Sequence, residues 1–203
     1  MKSLKSALLL AALASTVVSC SNDDDDKVVT SIEGEYTFAG TSVEMFAAST
    51  YETISISEKD STATNTKYAS TSQSGTASIS ATNFTGDKLS FIAKGSSVSK
   101  LYTNGEETEV MDLPINYEAE PVSSVQAYKL VGMDSIYFGE GFLIGMPSPG
   151  TIQVPKGAGA TYKFSGDTLV ITSLLDTTIV QEAQDERAKD ILRVKMITRF
   201  KKK

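Results

Sequence analysis

The sequence predicts an all-β protein, an antiparallel up-and-down β-barrel in preference to a sandwich, and three observations carry that expectation. Apolar and polar residues alternate at period two in Glu52–Ser57, Thr76–Ala81 and Leu192–Met196, as in strands with one buried and one wet face. Turn signals punctuate the chain: Asn104-Gly105, between Val98–Tyr102 and Thr108–Met111, is the strongest two-residue hairpin signal, and Gly86-Asp87 and Gly166-Asp167 mark two further turns. Helical patterning is nearly absent. A closed ring is preferred because strands so rich in Thr, Ser, Val and Ile would otherwise leave edges open to pairing with other chains.

The first element, residues 1–19, is not part of that fold. Lys2 and Lys5 precede an apolar run from Ala7 to Ala14, the layout of a secretory signal. The run falls short of the ~20 apolar residues that a membrane-spanning helix needs, and the acids from Asp23 onward block its extension. Val17-Val18-Ser19-Cys20 resembles a bacterial lipobox. That resemblance implies a diacylglycerol on the Cys20 sulfur, cleavage just before it and acylation of the new amino terminus. Two or more acyl chains, at ~0.8 kcal/mol per buried methylene, convert reversible contact into stable membrane anchoring.

Residues 20–30 form an acidic tether. Ser21, Asn22, Asp23, Asp24, Asp25 and Asp26 are similar to the export signal of surface lipoproteins of the Bacteroidota, which implies the outer membrane and its outer leaflet. The same run also reads as a solvated, self-repelling spacer, and the two roles are compatible. It is a poor calcium site, because an unfolded string of carboxylates has no rigid cage.

Composition narrows the function classes. Without Lys2 and Lys5, 17 bases face 25 acids, a net charge near −8. No basic stripe provides the footprint that phosphate binding requires, so nucleic acid is excluded as a partner. The single cysteine rules out a disulfide within the chain, and stability must come from an apolar core. The chain has no histidine, which removes Ser-His-Asp and Cys-His catalysis, His-ligated zinc and the commonest general base. Asp112, Glu118, Glu120, Asp134 and Glu140 could supply a carboxylate pair, but nothing in their spacing imposes one, and they read as surface acids. Gly139 to Gly145 lacks phosphate-loop spacing and reads as a loop running on to Pro147 and Pro149. No cofactor, metal or catalytic residue is expected.

Residues 31–203 read as one domain. Thr62–Thr76 is dense in Ser and Thr and predicts a long loop or frayed hairpin. Pro121 predicts the start of a short helical turn, and Gln181–Asp190 either a helix without an apolar stripe or a charged excursion between the last strands. A weak repeat, Asn83–Leu89 against Lys163–Leu169, predicts the same hairpin used twice.

Ile32–Phe38, with Gly34 and Tyr36, resembles the Gly-x-Trp opening of lipocalins and the wider calycin group, although Tyr36 replaces the family's Trp and the mid-chain Thr-Asp-Tyr element is missing. The resemblance implies a lipocalin-like barrel in which Gly34 turns the chain under the floor and Tyr36 plugs the closed end. It further implies that Arg193 or Arg199 stacks over Tyr36, a contact of ~0.5 to 2 kcal/mol; an ordinary core tyrosine with two solvated arginines is the alternative. The expected function is a non-catalytic, membrane-anchored lipoprotein holding a small apolar or amphipathic ligand in its barrel. A structural or interaction lipoprotein with a filled barrel is the second reading. Leu89, Phe91, Phe164, Leu169 and Ile171 face inward in either case, to line a pocket or to fill it.

Overall fold

The computed structural model describes residues 31–139 and 157–203. Eight antiparallel strands follow one another around a closed ring: β1 (Gly34–Thr53), β2 (Glu58–Ile79), β3 (Asn83–Thr103), β4 (Glu106–Val131), β5 (Ser135–Phe138), β6 (Ala158–Ser165), β7 (Thr168–Glu182) and β8 (Glu186–Lys202). β8 returns to pair with β1, with Phe38 opposite Phe200 and Thr53 opposite Glu186, so every strand meets its sequence neighbour and the sheet closes up-and-down. Period-two patterning dictates the faces. Leu192, Val194, Met196, Thr198 and Phe200 of β8 are buried inside, while Arg193 and Lys195 between them are exposed.

The strands are unequal, and this shapes the molecule. β4 has 26 residues and β2 22, against four in β5 and eight in β6. The ring therefore closes near one end, where β5 joins Tyr128–Val131 of β4 to β6, and β6 reaches Ser173 of β7. Beyond that level the order β4-β3-β2-β1-β8-β7 continues, and among the described residues Glu106–Val125 of β4 has only β3 beside it. That one-sided position accommodates Pro114, which has no N–H to offer a second neighbour.

Two turns match their sequence signals. Asn104 and Gly105 both take positive φ between Thr103 and Glu106, the geometry that Asn-Gly favours in a type I′ hairpin. Gly166 takes φ 61° between the paired residues Ser165 and Thr168.

Several expectations are corrected. Thr62–Thr76 is neither loop nor frayed hairpin but the middle of β2, bonded to β1 on one side and β3 on the other. Its polarity misleads because Thr64 and Thr66 point inward and pair with Ser99 and Ser97, hydroxyl to hydroxyl at 2.9 Å. The alternation in Glu52–Ser57 belongs instead to the β1–β2 turn, a 3-10 segment at Ile54–Ile56 with both isoleucines exposed. Asp185 of the β7–β8 turn holds it by accepting from the Ser55 N–H at 2.8 Å and the Ser55 hydroxyl at 2.6 Å.

Gly86-Asp87 is no turn: it begins a bulge in β3 in which Lys88 takes φ 50°, so the repeat with Lys163–Leu169 is one of sequence and not of geometry. Pro121 begins no helix either. It lies in β4 at the irregularity between Ala119, opposite Phe91, and Val122, opposite Leu89, a place where a strand tolerates proline. Gln181–Asp190 is the tip of the β7–β8 hairpin, the charged excursion and not the helix.

Candidate functional site

The closed end is filled. Phe200 lies at the centre of the aromatic floor, 5.1 Å from Phe84 and 5.7 Å from Phe38 between ring centroids. Phe84 meets Phe138 edge-on at 6.2 Å, and Phe38 meets Phe91 at 6.3 Å. Three tyrosines in this region satisfy their hydroxyls on backbone carbonyls. Tyr36 donates to Ile32 at 2.7 Å, Tyr128 to Ser80 at 2.7 Å and Tyr162 to Met133 at 3.0 Å. Burial raises all three phenols above their ordinary range, so they stay protonated donors. Of the residues expected to face inward, Leu89, Phe91, Leu169 and Ile171 are buried here and Phe164 is partly buried against them.

Gly34 and Tyr36 sit at this floor. Gly34 takes φ 145°, a conformation that disfavours a side chain, and a Cβ there would come within 3.7 Å of the Tyr36 ring. Arg193 and Arg199 do not stack on Tyr36. Both fall on the outward face of β8, between the inward Leu192, Val194, Thr198 and Phe200, and Arg193 instead pairs with Asp176 at 3.2 Å. The basic residue beside the Gly34–Tyr36 opening is Lys202, opposite Tyr36 in register, whose Cε would lie 3.4 Å from a Gly34 Cβ. Two residues per turn of the pleat decide this: odd positions near the end of β8 cannot reach the interior. Cys20 and the run Ser21, Asn22, Asp23, Asp24, Asp25 and Asp26 lie outside the described residues.

Above the floor the interior changes character. The strand register stacks inward residues in rows. Tyr68, Val43, Met196 and Ser173 share the first; Thr66, Met45, Val194 and Leu175 the next; and Thr64, Ala47, Leu192 and Thr177 the third. β3 and β4 extend them with Gly95 and Ile115, Ser97 and Leu113, and Ser99 and Met111. The wall is thus apolar with interspersed hydroxyls, and no charged side chain of the described residues shares these rows. Leu113 is 58% exposed and Met111 38%, although both stand on the face that is core below them. Charges return only toward the mouth, where Glu109 and Asp190 occupy the fourth row and Asp60 the fifth.

Tyr68 stands at the boundary between floor and wall. The residue is only 7% exposed, and its hydroxyl, which keeps contact with solvent, has no hydrogen bond to a described residue. Burial, followed by the neighbouring Tyr117 phenol, pushes its pKa up to about 12. Tyr117 itself packs edge-on against Phe91 at 6.3 Å. Tyr68 was not singled out in the sequence, where the Ser/Thr-dense window around it reads as loop; a lone aromatic within a polar run was the available signal.

The outer wall is chemically different. A recess of about 390 Å³ lies over β2, β1, β8 and β7 around Phe46, but its rim carries the ion pairs Lys67–Glu44 and Arg193–Asp176. Outward rows such as Lys67–Glu44–Lys195 place charges where a membrane-spanning barrel would need an apolar band. No group of three or more potential metal ligands occurs among the described residues. No family model, curated protein or solved structure matches the chain.

Proposed function

We propose that this chain is a lipid-anchored protein of the bacterial cell surface whose barrel holds a small apolar or amphipathic ligand and performs no chemistry on it. The observation that supports the binding reading is that the inward rows of Met45, Ala47, Leu192 and Val194, above the aromatic floor, are apolar and carry no charge. A packed core would not be expected to present Leu113 and Met111 to solvent on its inner face. The lack of histidine and the absence of a carboxylate pair inside the wall favour holding over bond making.

The lipid anchor rests on Val17-Val18-Ser19-Cys20, and the outer-leaflet address on the acids that follow. Asp23–Asp26 would space the barrel from the bilayer by mutual repulsion. The second reading, an envelope interaction protein with a filled barrel, draws support from the ring cluster of Phe38, Phe84, Phe138 and Phe200 and from the burial of Val43, Leu192, Val194 and Met196 in the same core. Native mass spectrometry of the protein taken from its own membrane separates the two: copurified lipid is expected, and a consistently empty chain overturns the binding reading.

A further inference from the structure

We infer that the open edge of β4 is a docking site for an extended segment of a partner protein in which apolar and basic residues alternate, added to the sheet as a further strand. The inference does not depend on the barrel interior holding a ligand.

The edge itself comes first. A strand with one neighbour leaves the N–H and C=O groups of its other side without a sheet partner, and that row is a template for another chain. Among the described residues, Glu106–Val125 of β4 pairs with β3 alone. Protein edges are commonly guarded by charged side chains and proline, and Pro114 withholds one N–H here. Guarding does not account for the apolar side chains along the same stretch, where Val110, Met111, Leu113 and Tyr117 are all exposed.

Charge names the partner. Glu106–Val125 holds Glu106, Glu107, Glu109, Asp112, Glu118 and Glu120 and no Lys or Arg. Elsewhere in the sheet, acids are met by bases of the next strand, as in Lys67–Glu44, Arg187–Glu182 and Arg193–Asp176, and β3 supplies Lys100 to Glu107. Glu109, Asp112, Glu118 and Glu120 have no such base among the described residues. Asp112 and Glu118 fall on the outward face of β4, in alternation with the inward Met111, Leu113 and Tyr117. An added strand would set basic residues beside the acids on one face and apolar residues against Met111 and Leu113 on the other.

Other occupants fit less well. Two β4 edges joined to each other would bring acid against acid, which disfavours a second copy of this chain. Residues 20–30 carry Asp23–Asp26 and meet the same repulsion. Residues 140–156 connect β5 to β6, where Phe138 pairs with Ala158 at the level of Tyr128. Out and back, they can climb about eight positions along β4 at strand spacing, so Glu106–Glu118 lies beyond their reach. The other open edge, Leu174–Glu182 of β7, is a poorer match for a basic strand because its Asp176 and Glu182 are already paired.

The test uses the full chain with Cys20→Ser, which cannot be acylated, and three fluorescein-labelled peptides of about ten residues: alternating Val-Lys, alternating Val-Glu, and Val-Lys N-methylated throughout, which keeps side chains and charge but has no N–H to donate. Binding is followed by fluorescence anisotropy and located by amide hydrogen exchange. The Val-Lys peptide is expected to bind, less tightly as salt is raised, and to slow exchange within Val110–Tyr117. Asp112→Asn combined with Glu118→Gln, both exposed positions, is expected to weaken it about fivefold. The Val-Glu and N-methylated peptides are expected not to bind. Failure of the Val-Lys peptide to bind, or equal binding of its N-methylated form, would overturn the inference, the second by showing charge adhesion without strand addition. Protection centred on β7 would overturn it too. So would edge amides of β4 that are already protected before peptide is added, whether by another segment of this chain or in a concentration-dependent dimer.

Discussion

Raising the pH isolates the burial of Tyr68 from every other interaction in the barrel. The phenol has an ordinary pKa of 10.0 and about 12 in the folded chain. The folded state therefore keeps a proton that the unfolded state gives up, so the stabilisation is fully present below about pH 10 and is lost progressively up to about pH 12. At pH 11 the unfolded phenol is ionised about ten to one and the folded one hardly at all, a loss near 1.4 kcal/mol relative to neutral pH. Tyr36, Tyr128 and Tyr162 are also raised, so the wild-type slope alone is not diagnostic. The comparison with Tyr68→Phe is, because only one titration differs. Urea unfolding of both proteins near pH 8 and pH 11 is the assay. Near pH 8 the variant should match the wild type closely, since the lost hydroxyl has no described partner; at pH 11 it should be the more stable by about 1.4 kcal/mol. Equal losses in the two proteins would refute the burial of this phenol and remove the foundation of the site above it.

Phe200→Ala should cost about 3 to 5 kcal/mol in urea unfolding, because it empties the centre of the ring cluster against Phe38 and Phe84. Arg199→Ala and Arg199→Lys should both lie within about 0.5 kcal/mol of wild type in thermal melts, since the guanidinium is outward; a loss confined to the alanine variant would restore a stack on Tyr36. Asp185→Ala should weaken the contact between the β1–β2 and β7–β8 turns by roughly 1 kcal/mol and raise amide exchange at Ser55 before any effect on the floor. Metabolic labelling with an alkyne palmitate should mark the chain in its native host and leave Cys20→Ala unmarked; an unmarked wild type would remove the membrane anchor.

The legible parts of this fold are those in which local chemistry and tertiary structure ask for the same residue. Asn104-Gly105 is a hairpin because positive φ at both positions suits those residues wherever they occur. Leu192–Met196 is a strand because its alternation matches a core on one side and water on the other. Thr62–Thr76 was opaque because its inward threonines are satisfied by serines of β3 some thirty residues away, pairings that no local window contains. Pro121 and Gly86-Asp87 misled for the opposite reason: strong local punctuation was absorbed as irregularity in long strands.

Taken alone, the amino-acid order determined an all-β chain with period-two faces, an acidic surface and a chemistry without histidine, since these depend on composition and on neighbours one or two residues away. Tertiary pairing decided the rest. Register chose which face of β8 each basic residue occupies, sending Arg199 outward and Lys202 to the floor. It also set Tyr68 where the aromatic fill stops and the hydroxyl-bearing wall begins. A one-residue slip in any of those pairings would reverse every face in the strand, so the position of a candidate site in a barrel is a property of the closed ring and is not carried by any one of its segments.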